Sequence, residues 1–159
     1  FNNIEHIENK YQYLKNKLKK LKNNRSLYIL GSAGIEKKII HPIKYRNILK
    51  NIKMKYKNHK IYYFPHPKEK KKNIQKFFFL HILNPGTTIE LYLIKKKFKP
   101  SLIIGFNSTA FFSLNKIFAK KINLINYNFL GYPKKYKKFF NKINFNLEKT
   151  LKVKNYNLV

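Results

Sequence analysis

The sequence predicts an α/β fold, a Rossmann-like parallel sheet flanked by helices. Short runs rich in β-branched and aromatic residues alternate with helical periodicities, which is the pattern of βαβ units. Three of these runs end in loops of small, polar or conformationally fixed residues: Gly31–Gly34, Pro65–Pro67 and Asn107–Thr109. The 159 residues, 43% of them apolar, suffice for one domain with a sizeable core, and neither a repeat nor a linker interrupts them.

From about Ile4 to Lys22, the residues Ile4, Ile7, Tyr11, Leu14, Leu18 and Leu21 recur at three- and four-residue steps. That spacing predicts an amphipathic helix, stopped by Asn23–Asn24. Ser26 to Leu30 reads as a buried strand running into the Gly31 loop. His41 opens a helix with Pro42 at its first position, running to about Lys53 with Ile43, Ile48, Leu49 and Ile52 towards the core. Lys60 to Phe64 is the second strand, ended by two prolines that cannot continue a central ladder.

Lys68 to Asn73 is a charge run, read as a solvated loop or short helix. Gln75 to Ile82 is a third apolar run, followed by the Asn84–Pro85–Gly86 turn. Thr87 or Thr88 caps a helix through Lys97 that carries Ile89, Leu91, Leu93 and Ile94. Pro100 to Phe106 is a strand, Asn107 to Thr109 starts a helix to about Ala119, Ile122 to Tyr127 is the last strand, and Pro133 to Asn144 is a basic final helix.

The formal net charge is +30, from 36 Lys and Arg against 6 Asp and Glu. Such a field attracts polyanions, anionic lipid headgroups or an anionic substrate. A coding bias accounts for the same excess, because Lys, Asn, Ile, Phe and Tyr rise together while Arg is confined to Arg25 and Arg46. Cysteine is absent, which excludes disulfides and thiolate metal sites. No run approaches the roughly 18 apolar residues of a membrane span, and Phe1 to Glu8 lacks a secretory pattern. The expectation is a cytoplasmic protein, with peripheral contact to an anionic inner-membrane surface compatible with its charge. Phe1 rather than Met stands first, so a piece of a longer protein is expected.

Ligands of open parallel sheets bind beyond the carboxyl ends of the strands, where the three loops would lie. Asn107, Ser108 and Thr109 follow a strand and open a helix, so free N–H groups and hydroxyls there suit an anion, while a plain N-cap explains the same residues. His66, held between Pro65 and Pro67, could donate to a phosphate oxygen or be a turn residue without a role. His41 has its helix-start explanation.

Asp is absent, so no Asp-x-Asp metal motif exists, and the carboxylates near the loops are Glu36, Glu69 and Glu90. Glu90 favours a helix dipole or accepts from sugar hydroxyls. Glu36 is a general base or a partner of Lys37 and Lys38. No glycine-rich dinucleotide or nucleoside-triphosphate loop occurs, and His6, His59 and His81 have no metal-ligand spacing.

Tyr62 to Glu69, Tyr-Tyr-Phe-Pro-His-Pro-Lys-Glu, resembles the Y-x-P-H-P-R-E stretch of bacterial lipooligosaccharide sialyltransferases, glycosyltransferase family 52. Glu90 and the segment Lys99 to Ala110 resemble its E…K-P-x-x-I-x-G-F-x-S-[ST]-A region, and Leu30 to Tyr45 its L-G-Q-x-x-x-E-D-G-I-I region. The three occur in the family's order across residues 27–119.

The resemblance implies that residues 1–159 are a single nucleotide-sugar-binding domain, one half of a GT-B glycosyltransferase whose acceptor-binding N-terminal domain lies outside these residues. It implies metal-independent, inverting transfer from CMP-sialic acid to a lipooligosaccharide or capsule glycan, with no cofactor. His66 would act on the leaving phosphate, Ser108 and Thr109 would bind it with Asn107, Gly31 and Pro67 around them, Glu90 would contact the ribose, and Glu36 would be the base. The acidic motif departs from the family as Glu36-Lys37-Lys38, and Lys68 replaces the usual Arg. Family members are also found as dimers, so a homodimer is compatible.

Two other readings compete. A basic nucleic-acid-binding module would use lysines and aromatics, although no recognised nucleic-acid-binding motif appears. A degenerate transferase fragment without catalysis would explain the altered acidic motif.

Overall fold

The computed structural model describes residues 11–18, 22–118, 121–129, 133–151 and 153–158. In chain order the elements are α1 (Gln12–Leu18), β1 (Lys22–Leu30), α2 (Pro42–Lys55), β2 (Lys60–Phe64), α3 (Lys71–Ile74), β3 (His81–Ile82), α4 (Ile89–Lys96), β4 (Phe98–Gly105), α5 (Ala110–Phe118), β5 (Asn123–Phe129), α6 (Lys134–Leu151) and β6 (Lys154–Leu158). The strands form one sheet in the order β3-β2-β1-β4-β5-β6, with every neighbouring pair parallel.

The chain builds outward from β1 through β2 to β3, then returns to β4 and builds the other way through β5 to β6. The order therefore reverses between β1 and β4. Loops leaving those strands diverge to opposite faces, and a crevice opens between them.

Alternation along the strands divides the core into two layers, as expected of a sheet buried on both faces. Leu27 and Ile29 of β1, Ile61 and Tyr63 of β2, Leu102 and Ile104 of β4, and Ile125 and Tyr127 of β5 join one layer. Against it α2 packs Tyr45, Ile48, Leu49 and Ile52. Tyr28, Leu30, Phe64 and Ile103 face the opposite layer. There α4 supplies Ile89 and Leu93, α5 supplies Phe111 and Leu114, and α6 supplies Phe140, Ile143 and Leu147.

Local chemistry explains the helix starts. His41 Nδ1 accepts from Ile43 N–H and Pro42 occupies the first turn, while Thr88 Oγ1 accepts from Leu91 N–H. α4 stops at Lys97, which turns left-handed at φ 56°.

Several expectations change. The helix expected from Ile4 falls partly outside the described residues, and Lys22, expected at its end, begins β1 instead because it pairs with Phe98. Ile43 and Leu91 are exposed, at 64% and 42%, and Tyr45 takes the core place on α2. The Gln75–Ile82 run is a single 3-10 turn (Gln75–Phe77) followed by the two-residue β3. Phe77 and Leu80, three apart, are its buried members. The final helix continues to Leu151 because Leu147 and Leu151 extend its apolar stripe, and β6 follows it. No helix among the described residues is long and apolar enough to cross a membrane.

A buried amide network ties the end of β4 to β5 and α6. Asn126, fully buried in β5 between Ile125 and Tyr127, accepts from Asn107 N–H at 2.7 Å and donates to Asn107 Oδ1 and Asn144 Oδ1, both at 3.1 Å. Asn144 donates in turn to Asn128 Oδ1 at 2.9 Å. Asn126→Ala orphans groups that cost roughly 1–3 kcal/mol each when left unpaired. It should lower the urea midpoint without changing the slope of the transition.

Candidate functional site

A cleft of about 1240 Å³ lies at the carboxyl ends of β1, β2 and β4. Gly31, His66, Pro67, Glu90, Ser108 and Thr109, expected from three separate segments, all line it. Asn107 and Glu36 do not.

β1 ends at Gly31, whose N–H continues the ladder by donating to Phe64 O at 2.8 Å. A Cβ on residue 31 would stand 2.7 Å from Tyr63 OH and 2.9 Å from His66 N, and would collide with Glu69 Oε2. Only glycine fits while those groups hold their places.

The loop after β2 is closed by three hydrogen bonds. Glu69 N–H donates to His66 O at 2.9 Å, His66 N–H to Glu69 Oε2 at 2.7 Å, and Lys68 N–H to His66 Nδ1 at 3.1 Å. With Nδ1 accepting, the proton of a neutral imidazole sits on Nε2. Burial holds the imidazole below its usual range, the charges of Lys37 and Lys68 push the same way, and Glu36 opposes them. His66 is therefore a neutral ring with one N–H donor at neutral pH.

Burial raises the Glu69 carboxyl from an ordinary 4.5 to about 7, against the pull of hydrogen bonds from Tyr63 OH and His66 N–H, with the Glu36 charge adding to the rise. The Tyr63 hydroxyl, fully buried, donates to Glu69 Oε1 at 2.5 Å and lies 3.1 Å from the Tyr45 hydroxyl.

The opposite wall comes from β4, α5 and α4. Asn107 leaves β4 in a left-handed conformation, φ 53°, and its amide belongs to the buried Asn126 network, so its role is to set the loop. Gly105 allows α5 to approach, since a Cβ there would meet Phe111 Cζ at 2.8 Å. The first N–H groups of α5 to reach carbonyls are those of Phe111 and Phe112, which donate to Ser108 O and Thr109 O. The N–H groups of Ser108, Thr109 and Ala110 precede them, at the positive end of the helix dipole. Glu90, in the first turn of α4, accepts from Ser113 Oγ on α5, which fixes the carboxylate at the cleft wall.

Glu36 sits behind the cleft as a strut. Its Oε1 accepts from Lys70 N–H and Asn73 Nδ2, both at 2.9 Å, and so holds the start of α3. Its Oε2 is buried without a hydrogen bond among the described residues. Burial raises this carboxyl, but the bonds from Lys70 and Asn73 and the Lys70 charge outweigh it, and the net shift is downward. A carboxylate so held is a poor proton acceptor.

Among the described residues, one lysine (Lys71) lines the cleft, beside the two carboxylates Glu69 and Glu90. Most of the lysines thus stand outside the lining of this cleft, while the charges of Lys37 and Lys68 are felt at His66. No three His, Asp or Glu side chains among the described residues are grouped to hold a metal ion.

Sequence reasoning left Tyr45, Tyr63, Asn126 and Ser113 without a part in the site, and gave Glu69 none beyond its place in the motif. Asn126 carried a weak signal, an amide between Ile125 and Tyr127 in the run Ile122–Tyr127, which it shares with Asn123. Tyr63 carried none, because it is one of three successive aromatic residues in β2, and Tyr45 carried none beyond its helical spacing from Ile48 and Leu49.

Two outcomes are expected. Because the Glu69 pKa is raised on folding, the native chain binds more protons than the unfolded chain between about 4.5 and 7. The Glu69 contribution to stability therefore falls as pH rises through that window, and Glu69→Gln should remove the fall in thermal melts taken across it. Gly31→Ala should cost about 1–3 kcal/mol in urea unfolding through overpacking against Glu69 and Tyr63. Comparison with protein-family models yields no match for this chain, and comparison with curated proteins yields none that is significant.

Proposed function

We propose that this chain is the nucleotide-sugar-binding half of a GT-B, sialyltransferase-like glycosyltransferase, holding CMP-sialic acid for metal-independent, inverting transfer to a lipooligosaccharide or capsule glycan. The observation that carries the reading is the convergence of Gly31, His66, Glu90, Ser108 and Thr109 on one cleft at the switch point of the sheet. These residues belong to the three segments that resemble the family.

The cleft suits an anion of low charge. Main-chain N–H groups and hydroxyls at the start of α5 can take one phosphate. His66 Nε2–H can donate a further hydrogen bond, and Glu90 can accept from a ribose hydroxyl. In transfer, the acceptor oxygen attacks C2 of the sialyl donor, the C2–O bond to the phosphate breaks, and CMP departs with the electron pair.

A phosphate monoester has a second pKa of about 6, so at neutral pH it leaves without taking a full proton. A neutral imidazole that stabilises the developing charge by hydrogen bonding is therefore sufficient. The proton of the attacking hydroxyl passes to solvent as the bond to C2 forms, rather than to Glu36, whose Oε1 is committed to Lys70 and Asn73.

The nucleic-acid reading draws on the net charge of +30 and on aromatic residues, many of which are buried in the core. A polyanion would have to avoid a cleft that offers a single lysine. The catalytically degenerate reading shares the donor site and differs only in turnover.

Calorimetric titration of CMP, UDP and ADP tests the proposal. CMP should bind selectively, and His66→Ala and the Ser108→Ala/Thr109→Ala pair should each weaken it roughly tenfold or more, the scale of a charge-assisted hydrogen bond. Equal, salt-sensitive binding of all three nucleotides, indifferent to those residues, would overturn it.

A further inference from the structure

Glu69 engages both carboxyl oxygens. Oε1 accepts from the Tyr63 hydroxyl and Oε2 from His66 N–H. Behind it the Tyr63 hydroxyl meets that of Tyr45 at 3.1 Å. A continuous chain of hydrogen bonds thus runs from α2, through β2, to the main chain of His66. Tyr45 and Tyr63 are 1% and 0% exposed, and the chain is sealed from solvent on that side.

We propose that Glu69 is a positioning residue for His66: its carboxyl, backed by Tyr63 and Tyr45, fixes the loop so that Nδ1 stays bonded within the turn and Nε2–H is left for the ligand. The proposal rests on the reading of His66 as the phosphate-side group and assigns the device that orients it.

The geometry separates this role from others. Both carboxyl oxygens serve the protein itself, Oε1 the Tyr63 hydroxyl and Oε2 the His66 N–H, as a positioning group requires. A residue serving only the fold would not need to bond the N–H of the residue whose ring it directs. The turn is short enough to transmit position directly, because Glu69 N–H also donates to His66 O, and Lys68, between them, donates to the ring. Releasing the carboxyl from His66 N–H frees the turn to rotate, and the Lys68 bond that selects the tautomer goes with it. Gly31 belongs to the same device, since its missing side chain leaves the space in which the carboxyl, the Tyr63 hydroxyl and His66 N meet.

The test reads the ring directly, by nitrogen-15 resonances of labelled histidine, with CMP titration beside it. His66 is assigned by comparison with His66→Ala. In the unsubstituted chain His66 should show the Nε2–H tautomer. Glu69→Ala should reduce that to a mixture and weaken CMP at least tenfold. Glu69→Gln should keep the tautomer and hold CMP affinity within threefold, because its amide can accept from His66 N–H and donate to Tyr63.

If Glu69→Ala does not fold, Tyr63→Phe removes one of the two donors and should loosen the tautomer in the same direction. An unchanged Nε2–H signature in Glu69→Ala, or in Tyr63→Phe where that is the only folded variant, overturns the proposal. So does a Gln variant that behaves as Ala does. A scrambled tautomer with no effect of any variant on CMP would leave the positioning intact and remove the nucleotide reading. An intact tautomer with CMP binding that depends on His66 would do the reverse.

Discussion

Four groups meet beside residue 31: the end of β1, the Tyr63 hydroxyl, the Glu69 carboxyl and the N–H of His66. They can do so because residue 31 carries no side chain. The close approach fixes how far the loop after β2 folds back over the sheet, and so where the floor and one wall of the cleft stand. The opposite wall is set by a comparable economy of space at Gly105, where α5 lies against the end of β4. Between these two glycines, on the two strands where the sheet changes direction, the cleft is what remains unfilled.

The fold was legible because both faces of the sheet are buried. β1, β2 and β4 are short, continuous apolar runs, and such runs stand out even in a chain with this many lysines. What was not legible depended on contacts between distant segments. Ile43 reads as a core residue by its type, yet Tyr45, three and four positions before Ile48 and Leu49, holds the inward face of the helical repeat, where its hydroxyl meets that of Tyr63. β3 is two residues long and exists only because β2 offers an edge, and β6 exists only beside β5. Neither has a local signal strong enough to announce it.

The site divides in the same way. Gly31, His66, Ser108 and Thr109 could be chosen from their loops, since turn chemistry and helix starts are local. Glu36 and Glu69 could not be told apart by sequence position. Environment separates them: hydrogen bonds and the Lys70 charge draw Glu36 down, and burial drives Glu69 up. The carboxylate that looked like a base is a strut, and the one that carried no role by itself closes the histidine loop.

Charge distribution carries the argument one step further. Three of the six carboxylates, Glu36, Glu69 and Glu90, lie in or directly behind the cleft, and their field is set against that of 36 Lys and Arg elsewhere. Whatever produced the excess of lysine, its electrostatics act mostly on the outer surface, where salt screens them within about 8–10 Å. Under the proposed function, Lys37, Lys68 and Lys71 add local positive charge at the cleft, and the contacts that would hold the anion are main-chain dipoles at the start of α5 and a neutral imidazole. Both act at hydrogen-bond range and are little screened. The outer field can gather anions near the protein or hold it at an anionic surface, but it cannot choose among them. Selection by shape and by a single phosphate, under the proposed function, needs a site where directed donors outnumber mobile lysines, and the crevice at the switch point of this sheet, lined by the single lysine Lys71 among the described residues, is such a place.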